Sequence, residues 1–149
     1  MRALFGTAAT VGLLVLLAVP AAPLLSGCDS APTRCESGVE LQTVDTTPDS
    51  VTSFGATIRP TDCVRFAYTG RVQGVEEPFD SGDNVPLLVS RLITGFQRGV
   101  VGRRTGQSVR ITIPPEQGYG LRGAQNIPAC SVLEFDVTIL DTAPPSACR

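Results

Sequence analysis

The chain has 149 residues and a formal charge of −2, with 12 arginines, no lysine and no histidine. That balance, with a pI near 5.0, excludes a broad phosphate-binding surface, so no nucleic-acid partner is expected. Without histidine the chain cannot hold a Ser-His-Asp or Cys-His nucleophilic site or a His-ligated metal; without lysine it can form no Schiff base.

Residues 1–27 carry one charge, Arg2, and then an apolar run from Ala3 to Leu25, the composition of a secretory signal. The run is also long enough to span a bilayer, which leaves an uncleaved anchor as the alternative. The ending Leu25-Ser26-Gly27-Cys28 resembles the bacterial lipobox, in which small residues precede a cysteine that is acylated and becomes the new N-terminus. Lipidation at Cys28 implies a membrane partner through the N-terminal lipid and an extracytoplasmic location. In that oxidising compartment Cys35, Cys63, Cys130 and Cys148 form an even set, with three possible pairings. No CxxC spacing is present, so no metal is expected.

Residues 28–37 are small and polar and read as a tether, and residues 38–142 as a single domain. Val39 and Leu41 begin an alternation, 46–61 is loop, and Val64, Phe66 and Tyr68 alternate with Arg65 and Ala67 as a half-buried strand. Gly70 to Gly74 predicts a turn, Pro78 to Gly82 a short edge segment, and Leu87 with Val89 a brief apolar stretch. Between Leu92 and Val101 the period changes: Leu92, Ile93, Phe96 and Val100 share one helical face, and Thr94 with Gln97 forms a candidate capping box. Gly95 and Gly99 each cost such a helix about 1 kcal/mol relative to alanine, so packing on a sheet must hold it. Val109, Ile111 and Ile113 alternate, 114–128 is a Gly- and Pro-rich loop, and Leu133, Phe135, Val137 and Ile139 alternate again, before a loop-like tail at 143–149. Many strands with one short helix predict an antiparallel α+β domain.

Six segments then fall in order: YTG at Tyr68, FDSG at Phe79, VSRLITGFQRGVVG from Val89, GQSVRITIPPEQGYG from Gly106, IP at Ile127 and LEFDV from Leu133. Together they resemble the FKBP-type peptidyl-prolyl cis-trans isomerases. GVELQTV at Gly38 looks like that family's first strand, and the VSRLITGF segment is closer to the shortened version seen in secreted bacterial members of the macrophage infectivity potentiator type than to the longer cytosolic one. The resemblance implies a twisted antiparallel sheet wrapped around one short helix, with an apolar pocket between them. Carried over by position, Tyr68, Phe79, Asp80, Leu92, Ile93, Phe96, Tyr119, Ile127 and Phe135 would line it, whereas Phe66 reads as plain core.

The chemistry implied needs no acid, base, nucleophile or cofactor. Rotation about a prolyl peptide bond is held back by amide resonance, a barrier of about 18–20 kcal/mol. In the twisted transition state the carbonyl loses its resonance partner and becomes less polar, so a water-poor apolar pocket binds it better than the planar amide. By resemblance Phe96 forms the floor under the proline ring and Tyr68, Phe79 and Phe135 the walls. The Ile93 N–H and the Tyr119 hydroxyl would hold substrate carbonyls, and Asp80 would order one end. Leu87, Leu92 and Ile127 would supply aliphatic contacts. Asp80 also fits a turn-capping carboxylate, and Phe135 fits ordinary core. Departures from the family pattern are Phe96 at a floor position that is usually tryptophan, Leu87 at an aromatic wall position, Ala124 near a loop position that is often histidine, and Ala129 in the IPP segment.

The family layout also implies disulfides Cys35–Cys130 and Cys63–Cys148. The expected partners are proline-containing polypeptides and macrolide inhibitors, and the expected state is a monomer. Two other readings stand beside the isomerase: a low-activity chaperone or peptide-binding module using the same pocket, and a structural envelope protein.

Overall fold

The alternating segments assemble into one antiparallel sheet. The computed structural model describes residues 34–52 and 54–148; the expected signal at 1–27 and the acylated Cys28 lie outside them. Among the described residues the strands are β1 (Gln42–Asp45), β2 (Cys63–Val72), β3 (Pro78–Leu88), β4 (Ser108–Ile113) and β5 (Leu133–Ala143), in the order β1-β4-β5-β2-β3. Every neighbouring pair is antiparallel, and one α-helix, α1 (Thr94–Val100), packs on the sheet. The α+β architecture expected from the sequence is the one observed. Among the described residues no helix is long and apolar enough to cross a membrane.

Several boundaries differ from the sequence expectation. The first strand begins at Gln42, after Val39 and Leu41, because its partner β4 ends at Ile113 before Pro114-Pro115, and a proline has no N–H to extend the ladder. Rather than turning at Gly70, β2 continues to Val72, which pairs with Leu133. The turn falls on Val72–Val75, where the Val75 N–H donates to the Val72 carbonyl (2.9 Å) and Gly74 takes φ +80°. The edge segment at Pro78 and the stretch at Leu87 are one strand, β3, interrupted by register shifts. It lies at the sheet edge, where prolines 78 and 86 interrupt no interior ladder. The tail is more ordered than a loop: residues Pro145–Cys148 make a 3₁₀ turn.

The helix is also shorter than its apolar periodicity. Ile93 is its N-cap, so Thr94 is already helical and the capping box does not form. Gln97 instead reaches back past the cap and its Nε2 donates to the carbonyls of Leu92 (2.7 Å) and Ser90 (3.4 Å). The two glycines explain how α1 is held. An added Cβ at Gly95 would overlap the Ile113 side chain, and one at Gly99 would lie 2.5 Å from Ile111 Cδ1. Their bare backbone therefore lets α1 approach β4 more closely than a side chain allows, which offsets their poor helix propensity.

Inward positions of β2, β4 and β5 build the core: Val64 and Phe66, Val109, Ile111 and Ile113, and Leu133, Phe135, Val137 and Ile139. Phe96 and Val100 of α1 complete it, with Ile58 and Val89 from the connections. Phe66 is fully buried, as its reading as plain core requires. Leu140 is the extra residue of a bulge where Arg65 pairs with Asp141 and Phe66 with Ile139, and is accordingly 40% exposed. The termini are tied down by Cys35–Cys130 and Cys63–Cys148, with Cα separations of 5.2 and 5.9 Å. Each closes a long loop, of 95 and 85 residues, and contributes about 4.6 kcal/mol in the chain-entropy account.

Gly95→Ala tests the helix contact. A surface helix would gain about 1 kcal/mol from this change; here overpacking against Ile113 is expected to reverse the sign and destabilise the fold by about 1–3 kcal/mol in urea unfolding. A gain in stability would show that the close approach is not limiting.

Candidate functional site

Between α1 and the concave face of the sheet lies a cavity of about 360 Å³, within the range of small-ligand pockets. Its floor is Phe96, only 4% exposed. Around it stand Phe66, Tyr68 and Phe135, with ring centroids 5.6, 6.4 and 5.1 Å from that of Phe96 and all near perpendicular to it. Phe79 repeats this geometry on Phe135 at 5.6 Å. Each edge-to-face pair sets a partly positive ring edge against a partly negative ring face, so the cluster is directional as well as apolar.

Two backbone features bring the walls together. Gly70 pairs with both Phe135 and Asp80, and Arg71 pairs with Pro78, which leaves Phe79 as the extra residue of a β-bulge. In a regular strand Phe79 and Asp80 would point to opposite faces; the bulge turns both into one cavity. Gly70 makes room for the rings, since a Cβ there would lie 2.6 Å from Phe135 and 2.9 Å from Phe79. The second shift, between Phe66↔Val85 and Tyr68↔Gly82, brings Asn84 to φ +57°.

The polar groups gather at one side. The Tyr68 hydroxyl donates to Asp80 Oδ2 at 3.0 Å. Burial pushes the Tyr68 hydroxyl up to about 12, with the Asp80 hydrogen bond and negative charge adding to the shift. Tyr119, 37% exposed, is raised for the same reasons, burial first and Asp80 second. Both hydroxyls therefore remain protonated donors across the neutral range.

Of the residues expected at the site, Tyr68, Phe79, Asp80, Leu87, Leu92, Ile93, Phe96, Tyr119 and Phe135 line this cavity. Ile127 does not: it is 7% exposed and borders an adjoining cleft of about 320 Å³ with Ala124, Gln125 and Asn126. A tight turn of the 114–132 loop, with reciprocal hydrogen bonds between Ala124 and Ile127, draws it there. Sequence reasoning missed Arg91, which lines the cavity from the 3₁₀ turn Val89–Arg91, and the part of Gly70, although YTG contains it. It also gave Gln97 the wrong partners. The signal for Arg91 was present in its place one residue before Leu92; helical periodicity is blind to a residue outside the helix.

The fold and the aromatic cavity define a class of domain, and comparison with known proteins identifies it. A family model described as FKBP-type peptidyl-prolyl cis-trans isomerase matches residues 55–140, and the chain belongs to that family. It is 38% identical over 97 residues to the "Probable FKBP-type peptidyl-prolyl cis-trans isomerase" of Haemophilus influenzae, covering 62% of this chain and 40% of that protein. It is also 38% identical over 92 residues to the peptidyl-prolyl cis-trans isomerase FKBP15-3 of Arabidopsis thaliana, covering 58% and 64%. The crystal structure of FkpA from Escherichia coli superposes with a TM-score of 0.59 at 28% identity, over 74% of this chain and 54% of that one. The chain thus spans less than two thirds of the length of the two curated relatives.

The tyrosine shifts are measurable, because the chain has only Tyr68 and Tyr119. In the folded protein tyrosinate absorbance is expected to appear at higher pH than the ordinary tyrosine value of about 10, raised for Tyr119 and near 12 for Tyr68, and to return to about 10 in denaturant. A raised folded value favours the neutral hydroxyl, so its stabilising contribution is complete below about pH 10 and is lost as pH climbs toward 12. Asp80→Asn should bring both titrations down; unchanged titrations would remove Asp80 as a cause.

Proposed function

We propose that this chain is a peptidyl-prolyl cis-trans isomerase that assists the folding of exported proteins from a lipid anchor outside the cytoplasmic membrane. The observation that carries the activity is the apolar cavity floored by Phe96 and walled by Tyr68, Phe79 and Phe135, in a chain of the FKBP-type family. A proline ring enters over Phe96. Its amide leaves bulk water for a surface that favours the less polar, twisted carbonyl, and binding energy is spent on the transition state rather than on the planar ground state. Asp80, held by Tyr68, fixes the polar rim, and the Tyr119 hydroxyl and the Ile93 N–H hold flanking carbonyls. Leu87 and Leu92 add aliphatic contacts, and Ile127 acts from the adjoining cleft. Proline-containing segments are the substrates and macrolides the expected inhibitors, with the protein acting as a monomer.

Anchoring rests on the sequence: the apolar run to Leu25 and the Leu25-Ser26-Gly27-Cys28 ending. The two disulfides suit an oxidising compartment. Within the family, the shortened VSRLITGF segment supports a reading as the secreted, macrophage infectivity potentiator type. A peptide-binding module of low turnover is the second reading, favoured by the smaller floor ring of Phe96 and by aliphatic Leu87.

A protease-free isomerisation assay on oxidised 29–149 tests the activity, beside Tyr68→Ala. Acceleration that falls at least about tenfold in Tyr68→Ala, a loss of about 1.4 kcal/mol of transition-state binding, supports the isomerase. Absent acceleration with intact binding of proline peptides supports the module. For the anchor, the full chain expressed in bacteria is expected to incorporate labelled palmitate and to lose it in Cys28→Ser; equal labelling of both would overturn lipidation at Cys28.

A further inference from the structure

The main cavity and the adjoining cleft share Phe79, Asp80 and Tyr119 in their linings. The main cavity adds Phe96, Leu87, Leu92 and Arg91 to them, and the cleft adds Ala124, Gln125 and Asn126. The two adjoin as one groove in which, among the described residues, Asp80 and Arg91 are the charged side chains, Asp80 common to both parts and Arg91 in the main cavity alone. Asp80 already accepts the Tyr68 hydroxyl. Arg91 is different: it is exposed, and among the described residues it has no ion-pair partner, whereas Arg71, Arg103 and Arg110 pair with Asp136 or Asp45. Arg65 and Arg98 have side-chain amides as acceptors, and Arg34, Arg59, Arg104 and Arg122, which like Arg91 have no ion pair among the described residues, line neither cavity.

Its backbone is nonetheless fixed. Gln97 Nε2 donates to the carbonyls on either side of it, those of Ser90 and Leu92, which ties the 3₁₀ turn to α1. An uncompensated guanidinium carried on a fixed backbone and bordering an apolar cavity has the form of a recognition group for a carboxylate. We propose that Arg91 makes the groove selective for proline segments that carry an aspartate or glutamate beside the proline. This inference rests on the reading of the cavity as a proline-segment site. Apolar walls bind any proline ring alike, so discrimination among prolines must come from the polar lining, where among the described residues Arg91 is the one cation. The pair it would form is partly solvated, which sets its size at about two- to fivefold in affinity and makes it sensitive to salt.

The test is a set of blocked single-proline peptides in which the residue before or after proline is Glu, Leu or Lys. They are titrated by NMR against the oxidised 29–149 chain, with cis-trans exchange rates read on the same samples. At low salt the Glu peptide is expected to bind about two- to fivefold more tightly than the Lys peptide at one of the two positions, with the ratio shrinking as salt rises. Arg91→Gln should bring the ratio to one and Arg91→Glu should invert it. Arg59→Gln, which removes the same charge away from the groove, should leave it intact. Equal affinities for Glu and Lys in the native chain, or a preference that survives Arg91→Gln, would overturn the proposal. The Leu peptide tests the isomerase reading separately: unaccelerated exchange with an intact Glu preference would overturn isomerisation and support the selectivity. If no peptide binds, both are overturned.

Discussion

The close approach of α1 to β4 is the contact on which the site depends. Gly95 and Gly99 lie on the helix face that meets Ile113 and Ile111, and only bare backbone fits at that separation. Phe96, between them in sequence, is thereby pressed down among Phe66, Tyr68 and Phe135 and becomes the floor of the cavity. The segment entering the helix is placed by the same contact, since Gln97 ties Ser90 and Leu92 to α1 and so fixes Arg91, Leu92 and Ile93 at the rim. A helix of seven residues has little stability of its own; tertiary packing holds it, and it in turn holds the pocket.

On the opposite wall the sheet solves a different problem. Period-two alternation gives a strand one inward residue in two, yet the cavity draws Phe79 and Asp80 from adjacent positions. The bulge supplies the extra rotation, and the glycine across from it supplies the space. The site is thus an aromatic box with a single hydrogen-bonded carboxylate at its edge. Its tyrosines stay protonated well above neutrality, which fits the proposed isomerisation, a reaction that moves no proton.

Disulfide Cys35–Cys130 bears on this arrangement as well as on stability. Cys130 closes the long loop that carries Tyr119 and Ile127, and its N–H donates to the Gly120 carbonyl at 2.9 Å. The bridge ties that loop to the segment entering the domain. The second bridge fastens the end of the chain to Cys63, at the start of the strand that carries Tyr68.

Much of this was legible from residue order. Alternation in β2, β4 and β5 marked which side chains form the core, because a strand half-buried in a sheet must repeat every two residues, and the ordered segments from YTG to LEFDV carried the family and nearly all of the pocket. What failed in each case depended on a contact that the segment's own periodicity does not show. The start of β1 depended on prolines closing its partner; the capping box failed because Gln97 found carbonyls behind it; Ile127 was drawn into the adjoining cleft by its own loop. The sequence by itself determined the architecture and the core, since these follow from local periodicity, and through the resemblance of its ordered segments to a family, the aromatic character of the site. Only the tertiary structure decided which glycines are gaps for other side chains, how a bulge turns two adjacent residues into one cavity, and that Arg91 borders that cavity with no ion-pair partner among the described residues, because each depends on contacts between segments that no local pattern encodes.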